Sequence, residues 1–259
     1  MAAYGGNTSC VVIEHADAAP IVLDLGTGLR QFGCAWPADT VFQGTALVSH
    51  LHWDHVQGLP FFGPALAPNS SLDIYAPAQE DGRSVAEAFD TFMRPPYFPI
   101  TIAQIPAAVS FNDCDEGTFE VGPYTVTARL VPHVGNTLGF RIEAGGRSVA
   151  YLPDHQQPVD GGFEVAAGAM ELCRDVDLLI HDAQYSSEEF AQKTHWGHCS
   201  IDYAVAVAAR SGALQLALFH HDPSHTDAVL DDLVGCAREA GAKLGVDVIG
   251  AREGLTVSL

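Results

Sequence analysis

Cations are scarce in this chain. Twelve lysines and arginines face 32 aspartates and glutamates, a formal net charge of −20, and only Lys193 and Lys243 are lysines. Polyphosphate backbones are gripped by basic faces, so this balance speaks against a long RNA or DNA as partner. Long apolar runs are also missing: no stretch approaches the eighteen or more consecutive apolar residues that a bilayer crossing needs. The start, Met1-Ala2-Ala3-Tyr4-Gly5-Gly6, has neither the basic flank nor the apolar core of a signal peptide. The expectation is a cytoplasmic protein that uses no membrane, with a homodimer as the one protein assembly kept open. The six cysteines, Cys10, Cys34, Cys114, Cys173, Cys199 and Cys236, show no C-x-x-C spacing. They read as reduced thiols rather than as a metal-binding set.

What is present is ample apolar material, 47% of 259 residues. That is enough for one large core, so a single domain over 1–259 is the default. Apolar runs of four to seven residues alternate with Ala-rich amphipathic stretches, the pattern of an α/β protein with covered sheets. The periodicity predicts helices over 29–35, 83–93, 164–174, 201–211 and 226–240. Ser200 and Ser224 are the expected N-caps of the last two, and Gly212 and Gly241 their C-terminal glycines. The proline-rich segment 61–106, with the aromatic cluster Arg94-Pro95-Pro96-Tyr97-Phe98-Pro99, reads as a cap or lid insertion, an ordinary rigid surface loop being the alternative.

The most informative residues are His50-Leu51-His52-Trp53-Asp54-His55, which put three imidazoles and a carboxylate directly after the apolar run 45–49. Residues two apart do not share a helix face, so the cluster belongs on a loop. Other apolar runs stop in the same way. Ile21-Val22-Leu23 ends at Asp24, residues 129–132 at His133, 149–153 at Asp154, 178–180 at His181-Asp182 and 216–219 at His220. Binding sites in layered α/β folds gather at strand ends, so these positions are candidates for one site. Imidazole and carboxylate without thiolate suit Zn²⁺, and also Mn²⁺ or Fe²⁺, while this many groups exceed the needs of one tetrahedral ion. Two divalent ions follow, able to hold a hydroxide nucleophile between them, and the isolated Asp154 is the natural bridging carboxylate.

In motif order, from Asp24-Leu25-Gly26-Thr27-Gly28 to His220, the chain resembles the metallo-β-lactamase superfamily over nearly its whole length. The resemblance implies an α/β fold of the four-layer αββα sandwich type. It also implies ligand roles: His50, His52 and His133 on one metal, Asp54, His55 and His220 on the other, and Asp154 between them. Asp24 is similar to the superfamily's buried aspartate, which orients a ligand histidine without touching metal. His221 is the rival to His220, but the parallel between Val48-Ser49-His50 and Leu218-Phe219-His220 favours the latter.

Within the superfamily the chain is most similar to the phosphodiesterase branch of ribonuclease Z and the phosphoribosyl cyclic phosphodiesterases. His181-Asp182-Ala183-Gln184 resembles the H-E-A-T motif of ribonuclease Z, and Gly197-His198-Cys199 its G-H-S/T. The resemblance implies that Asp182 orients and charges His198, which acts as general acid, with Asp54 as a further catalytic group. A simple helix cap is the alternative for His198. His155, His181, His195 and His225 receive no role. Three departures stand out. Only twenty residues separate His133 from Asp154, too few for the tRNA-gripping arm of ribonuclease Z. Cys199 stands where Ser or Thr is usual, adding a thiol able to bind metal or oxidise. The strand that relatives carry before Tyr4 is absent, which implies a truncated start or a missing edge strand. The expected reaction is hydrolysis of a small phosphodiester, a cyclic nucleotide or cyclic sugar phosphate. A lactone or thioester hydrolase, and a non-catalytic metal-bound ligand sensor, are the alternatives.

Overall fold

The computed structural model describes residues 2–259, which divide into two compact units, Asn7–Asp115 and Glu116–Leu259, the latter joined by the N-terminal residues up to Gly6. Each unit is built on one sheet.

The unit Asn7–Asp115 carries five strands in sequence order: β1 (Val11–Ile13), β2 (Ile21–Leu23), β3 (Gln43–Leu47), β4 (Ser71–Pro77) and β5 (Ala108–Cys114). β1 and β2 are antiparallel and every later pair is parallel. Parallel pairing sets Leu23 beside Leu47, so Asp24 and Ser49-His50 emerge from the same edge. The helices are α1 (Gly28–Ala35), the single turn α2 (Trp53–Val56) and α3 (Val85–Phe92), which opens with a Ser84–Glu87 capping box. Leu25, Leu29, Phe42, Phe62, Ile74 and Phe89 belong to the core. Segment 61–106, expected as a cap or lid insertion or as a rigid surface loop, lies within this unit. It supplies β4, an interior strand whose Leu72, Ile74 and Ala76 are buried. The strand was hidden because its apolar alternation is only seven residues long and stands between prolines, which read as loop.

The unit Glu116–Leu259 carries β6 (Gly117–Val121), β7 (Tyr124–Leu130), β8 (Leu138–Ala144), β9 (Arg147–Leu152), β10 (Leu178–Asp182), β11 (Gln215–Phe219) and β12 (Asp247–Gly250), in the order β12-β11-β10-β9-β8-β7-β6. β9 to β12 are parallel and β6 to β9 form an antiparallel meander. Since β8 opposes both neighbours, β7 runs with β9, β10 and β11, and the C-terminal ends of all four lie along one edge. His133, Asp154, Asp182 and His220 stand at those four ends.

Helices α4 (Ala167–Cys173), α5 (Ser187–Phe190), α6 (Ile201–Ser211) and α7 (Asp227–Leu244) complete this unit, with Leu152, Leu172, Leu179, Tyr203 and Leu218 in its core. α6 has the predicted ends: Ser200 Oγ accepts the Tyr203 N–H at 3.2 Å, and Gly212 closes the helix at φ 77. α7 differs at both ends. Thr226 caps it, while Ser224 binds Asp222 instead. Gly241 lies inside the helix, where a Cβ would crowd Val248, and Gly245 at φ 79 ends it. No helix among the described residues is long and apolar enough to cross a membrane.

Candidate metal centre

In the unit Asn7–Asp115 the H-x-H-x-D-H stretch is part loop and part helix: His50 to His52 are irregular and α2 begins at Trp53. Its rings are set by Asp24. This residue adopts φ 59, a conformation Asp tolerates better than most. Its buried carboxylate accepts the Ser49 N–H at 2.7 Å, the Ser49 O–H at 2.9 Å and the His55 Nδ1–H at 2.7 Å. His55 therefore holds its proton on Nδ1 and turns an unprotonated Nε2 toward Asp54, 3.3 Å from its Oδ2. Ser49 Oγ, having given its proton to Asp24, accepts the His50 Nδ1–H at 3.1 Å. His50 thus turns its Nε2 outward as well, 2.8 Å from His52 Nδ1. The backbone beneath is clamped just as tightly. Leu25 N–H donates to His55 O and Gly58 N–H to Leu25 O, both at 2.7 Å. A Cβ on Gly58 would overlap the Gly26 carbonyl, so glycine is the residue that fits.

In the other unit, His133 Nδ1–H donates to Gly197 O at 2.6 Å, and its unprotonated Nε2 lies 3.5 Å from Asp154 Oδ2. Gly197 has φ 91, and a Cβ there would lie 2.5 Å from the His133 ring. Asp154 is buried, and its other oxygen lies 3.5 Å from His220 Nε2. His220 Nδ1 is 3.4 Å from the side-chain amide of Gln184. With its oxygen toward His220, the amide accepts Nδ1–H, and the unprotonated His220 Nε2 faces Asp154. His221 points elsewhere, its Nε2 bonding Ala251 O at 3.0 Å.

His198 stacks on His220 with ring centres 5.0 Å apart. Asp154, His198 and His220 form a set whose potential ligand atoms all lie within 4.8 Å of one another. The His198 nitrogen that approaches Asp154 at 3.8 Å, however, is the same Nδ1 that meets Asp182 Oδ2 at 2.8 Å. Asp182 also accepts the His155 N–H at 3.1 Å and the Gln184 N–H at 3.0 Å.

Five residues beyond the expected set do structural work here: Ser49, Gln184, Gly197, His155 and His181. His181 Nδ1–H donates to Asp182 O at 2.7 Å, and His155 Nδ1–H to His181 Nε2 at 2.8 Å. Burial pushes the pKa of both imidazoles down, His155 furthest, so both are neutral at pH 7. In the sequence, Ser49, His155 and His181 are marked only by their position beside strand ends, and Gln184 and Gly197 only as members of the H-D-A-Q and G-H-C stretches. Cys199 departs from expectation. It is fully buried, its thiol donates to Asp182 O at 3.0 Å, and burial followed by Asp182 and Asp154 pushes its pKa well up. It is disposed neither to bind metal nor to oxidise.

Residues 21–221 match the family model of the beta-lactamase superfamily domain. Ribonuclease Z of Natronomonas pharaonis is 23% identical, the alignment covering 88% of this chain and 88% of the relative. Among solved structures, the metallo-beta-lactamase fold protein YhfI from Bacillus subtilis superposes with a TM-score of 0.73 at 21% identity, covering 98% of this chain and 94% of its own. Zn²⁺-bound PqqB from Methylobacterium extorquens gives 0.69 at 19% identity, over 98% and 87%. The family match spans both strand-end sets, from Asp24 to His220, and the two-sheet architecture is the fold of these structures. The chain belongs to the metallo-β-lactamase superfamily of metal-dependent hydrolases.

Proposed function

We propose that the protein is a two-metal phosphodiesterase acting on a small phosphodiester, a cyclic nucleotide or a cyclic sugar phosphate. The observation that carries this reading is the Asp182–His198 pair at 2.8 Å, a ready proton donor for a leaving alkoxide. The donor chemistry fits divalent cations. His50, His52 and His133 would hold one ion, Asp54, His55 and His220 the other, and Asp154 would serve both. His50, His55 and His133 are each held at Nδ1, which keeps the ring proton there and off Nε2. This set suits zinc, with manganese or iron as substitutes. Bound divalent ions would supply Lewis acidity toward phosphoryl oxygens and a water of lowered pKa.

The remaining work falls to the chain. Asp182 accepts His198 Nδ1–H and so orients the ring, while its bonds to two backbone N–H groups keep it from turning away. His198 then passes the proton on Nε2 to the departing oxygen as the phosphorus–oxygen bond breaks. A small substrate is favoured over a long nucleic acid by the net charge of −20 and by the short span from His133 to Asp154.

The test is a comparison of leaving groups. In the metal-loaded enzyme, His198→Ala should slow a diester with an alkoxide leaving group by about 10²- to 10⁴-fold. Bis-p-nitrophenyl phosphate, whose leaving group scarcely needs a proton, should lose far less. Equal losses on both would remove His198 from the role of acid. Lactone turnover without diesterase activity would move the protein to the carbonyl hydrolases.

A further inference from the structure

The chain has three tryptophans, Trp36, Trp53 and Trp196. Tryptophan is highly buried on average, yet Trp53 is 59% and Trp196 65% exposed. Both occur inside the stretches that carry candidate site residues. Trp53 stands between His52 and Asp54, and Trp196 directly before Gly197-His198. Scattered exposed aliphatic residues are ordinary, but an exposed indole in each of two such stretches calls for a reason.

Both rings are braced by a neighbour. Trp53 lies 5.2 Å from the Phe92 ring. Trp196 has Lys193 Nζ 5.7 Å from its centre, and that lysine is held in turn by Asp222 at 3.1 Å and by the Tyr185 face at 4.4 Å. Tyr185 packs edge-on to His198, ring centres 5.9 Å apart. An indole fixed by a neighbour yet largely open to water is a preorganised stacking surface, and its natural ligand is a planar aromatic group.

We infer that the substrate carries a nucleobase, which stacks on Trp196. The substrate is then a nucleotide rather than a base-free cyclic sugar phosphate. This rests on the phosphodiesterase reading. If His198 gives its proton to the leaving oxygen, the group borne by that oxygen lies on the His198 side. Trp196 is two residues from His198, no more than about 7.6 Å between Cα atoms. Stacking tolerates any base, so the class is set by the presence of a base rather than its identity.

The test measures binding and needs no turnover. In the metal-loaded full chain carrying W36F and W53F, Trp196 is the sole indole. AMP should quench its emission saturably, while ribose 5-phosphate, which has the same sugar phosphate and no base, should not. In the otherwise natural protein, Trp196→Ala should weaken AMP binding by about 5- to 100-fold and leave ribose 5-phosphate binding unchanged. Trp196→Phe should restore most of the loss. Should the double variant fold poorly, the quenching lost between the natural protein and W196F reports the same contact. Absence of AMP quenching, or equal losses for AMP and ribose 5-phosphate, would overturn the inference. The two readings fail separately. Turnover of a base-free cyclic ribose phosphate without AMP quenching would spare the phosphodiesterase reading and end this one, whereas AMP quenching without diesterase activity would do the reverse.

Discussion

Asp24→Asn changes the hydrogen-bond inventory beneath the H-x-H-x-D-H stretch and almost nothing else. The side chains are nearly the same size, and Asn tolerates the φ of 59 found there, so the Asp24–Gly28 turn has no steric reason to move. The carboxylate accepts the Ser49 N–H, the Ser49 O–H and the His55 Nδ1–H. A carboxamide offers one accepting oxygen, and its nitrogen only donates. With the oxygen on Ser49 N–H, the NH₂ faces His55 Nδ1, and the imidazole must move its proton to Nε2, where a metal needs a lone pair. With the oxygen on His55, the buried Ser49 N–H is left unsatisfied, at about 1 to 3 kcal/mol of folding stability. Loss of the partner that orients a ligand histidine lowers metal affinity by about 10- to 100-fold, which is about 1.4 to 2.8 kcal/mol. Competition with a chromophoric chelator at pH 7, alongside thermal unfolding of the metal-free protein, separates the two outcomes. A change in affinity of about twofold or less together with an unshifted Tm would refute the claim that Asp24 sets the His55 tautomer.

Gln184→Leu should weaken metal binding by about tenfold through His220, whereas Gln184→Glu, which still accepts from Nδ1–H, should restore it, as read by the same competition. Gly197→Ala places a Cβ against the His133 ring at φ 91. A loss of about 1 to 3 kcal/mol in stability and a deeper loss of metal affinity should follow, and a variant with natural Tm and affinity would count against the clamp on His133. Thiol labelling at pH 8 should show two fast groups, the exposed Cys34 and Cys236. Burial pushes Cys10 up to about 12 and Cys114 to about 11 and raises Cys173 and Cys199 as well, so these four stay protonated and slow until the protein is denatured.

Much of the scaffold was legible because its signals are local. The α6 helix carries its own cap and its own terminal glycine, and each strand that ends in a polar residue shows an apolar run followed by that residue. Strand β4 was not legible. Its seven residues have too few apolar positions to stand out among prolines, and its assignment comes from pairing with β3 and β5. The end of α7 was misplaced for a similar reason. Gly241 looks like a terminator in sequence, but the packing of Val246 and Val248 against it makes it an interior helix residue.

By itself the sequence singled out the side chains with the right chemistry, because imidazole and carboxylate donors after strands are properties of residue identity and short-range order. What only the tertiary structure decided is how those side chains are held. The proton of His55 is placed by Asp24, 31 positions away; that of His133 by the Gly197 carbonyl, 64 positions away; and the partner of His220 is Gln184, 36 positions away. A hydrogen bond is set by distance and direction in space, and strand pairing brings these partners together across separations that no local pattern records.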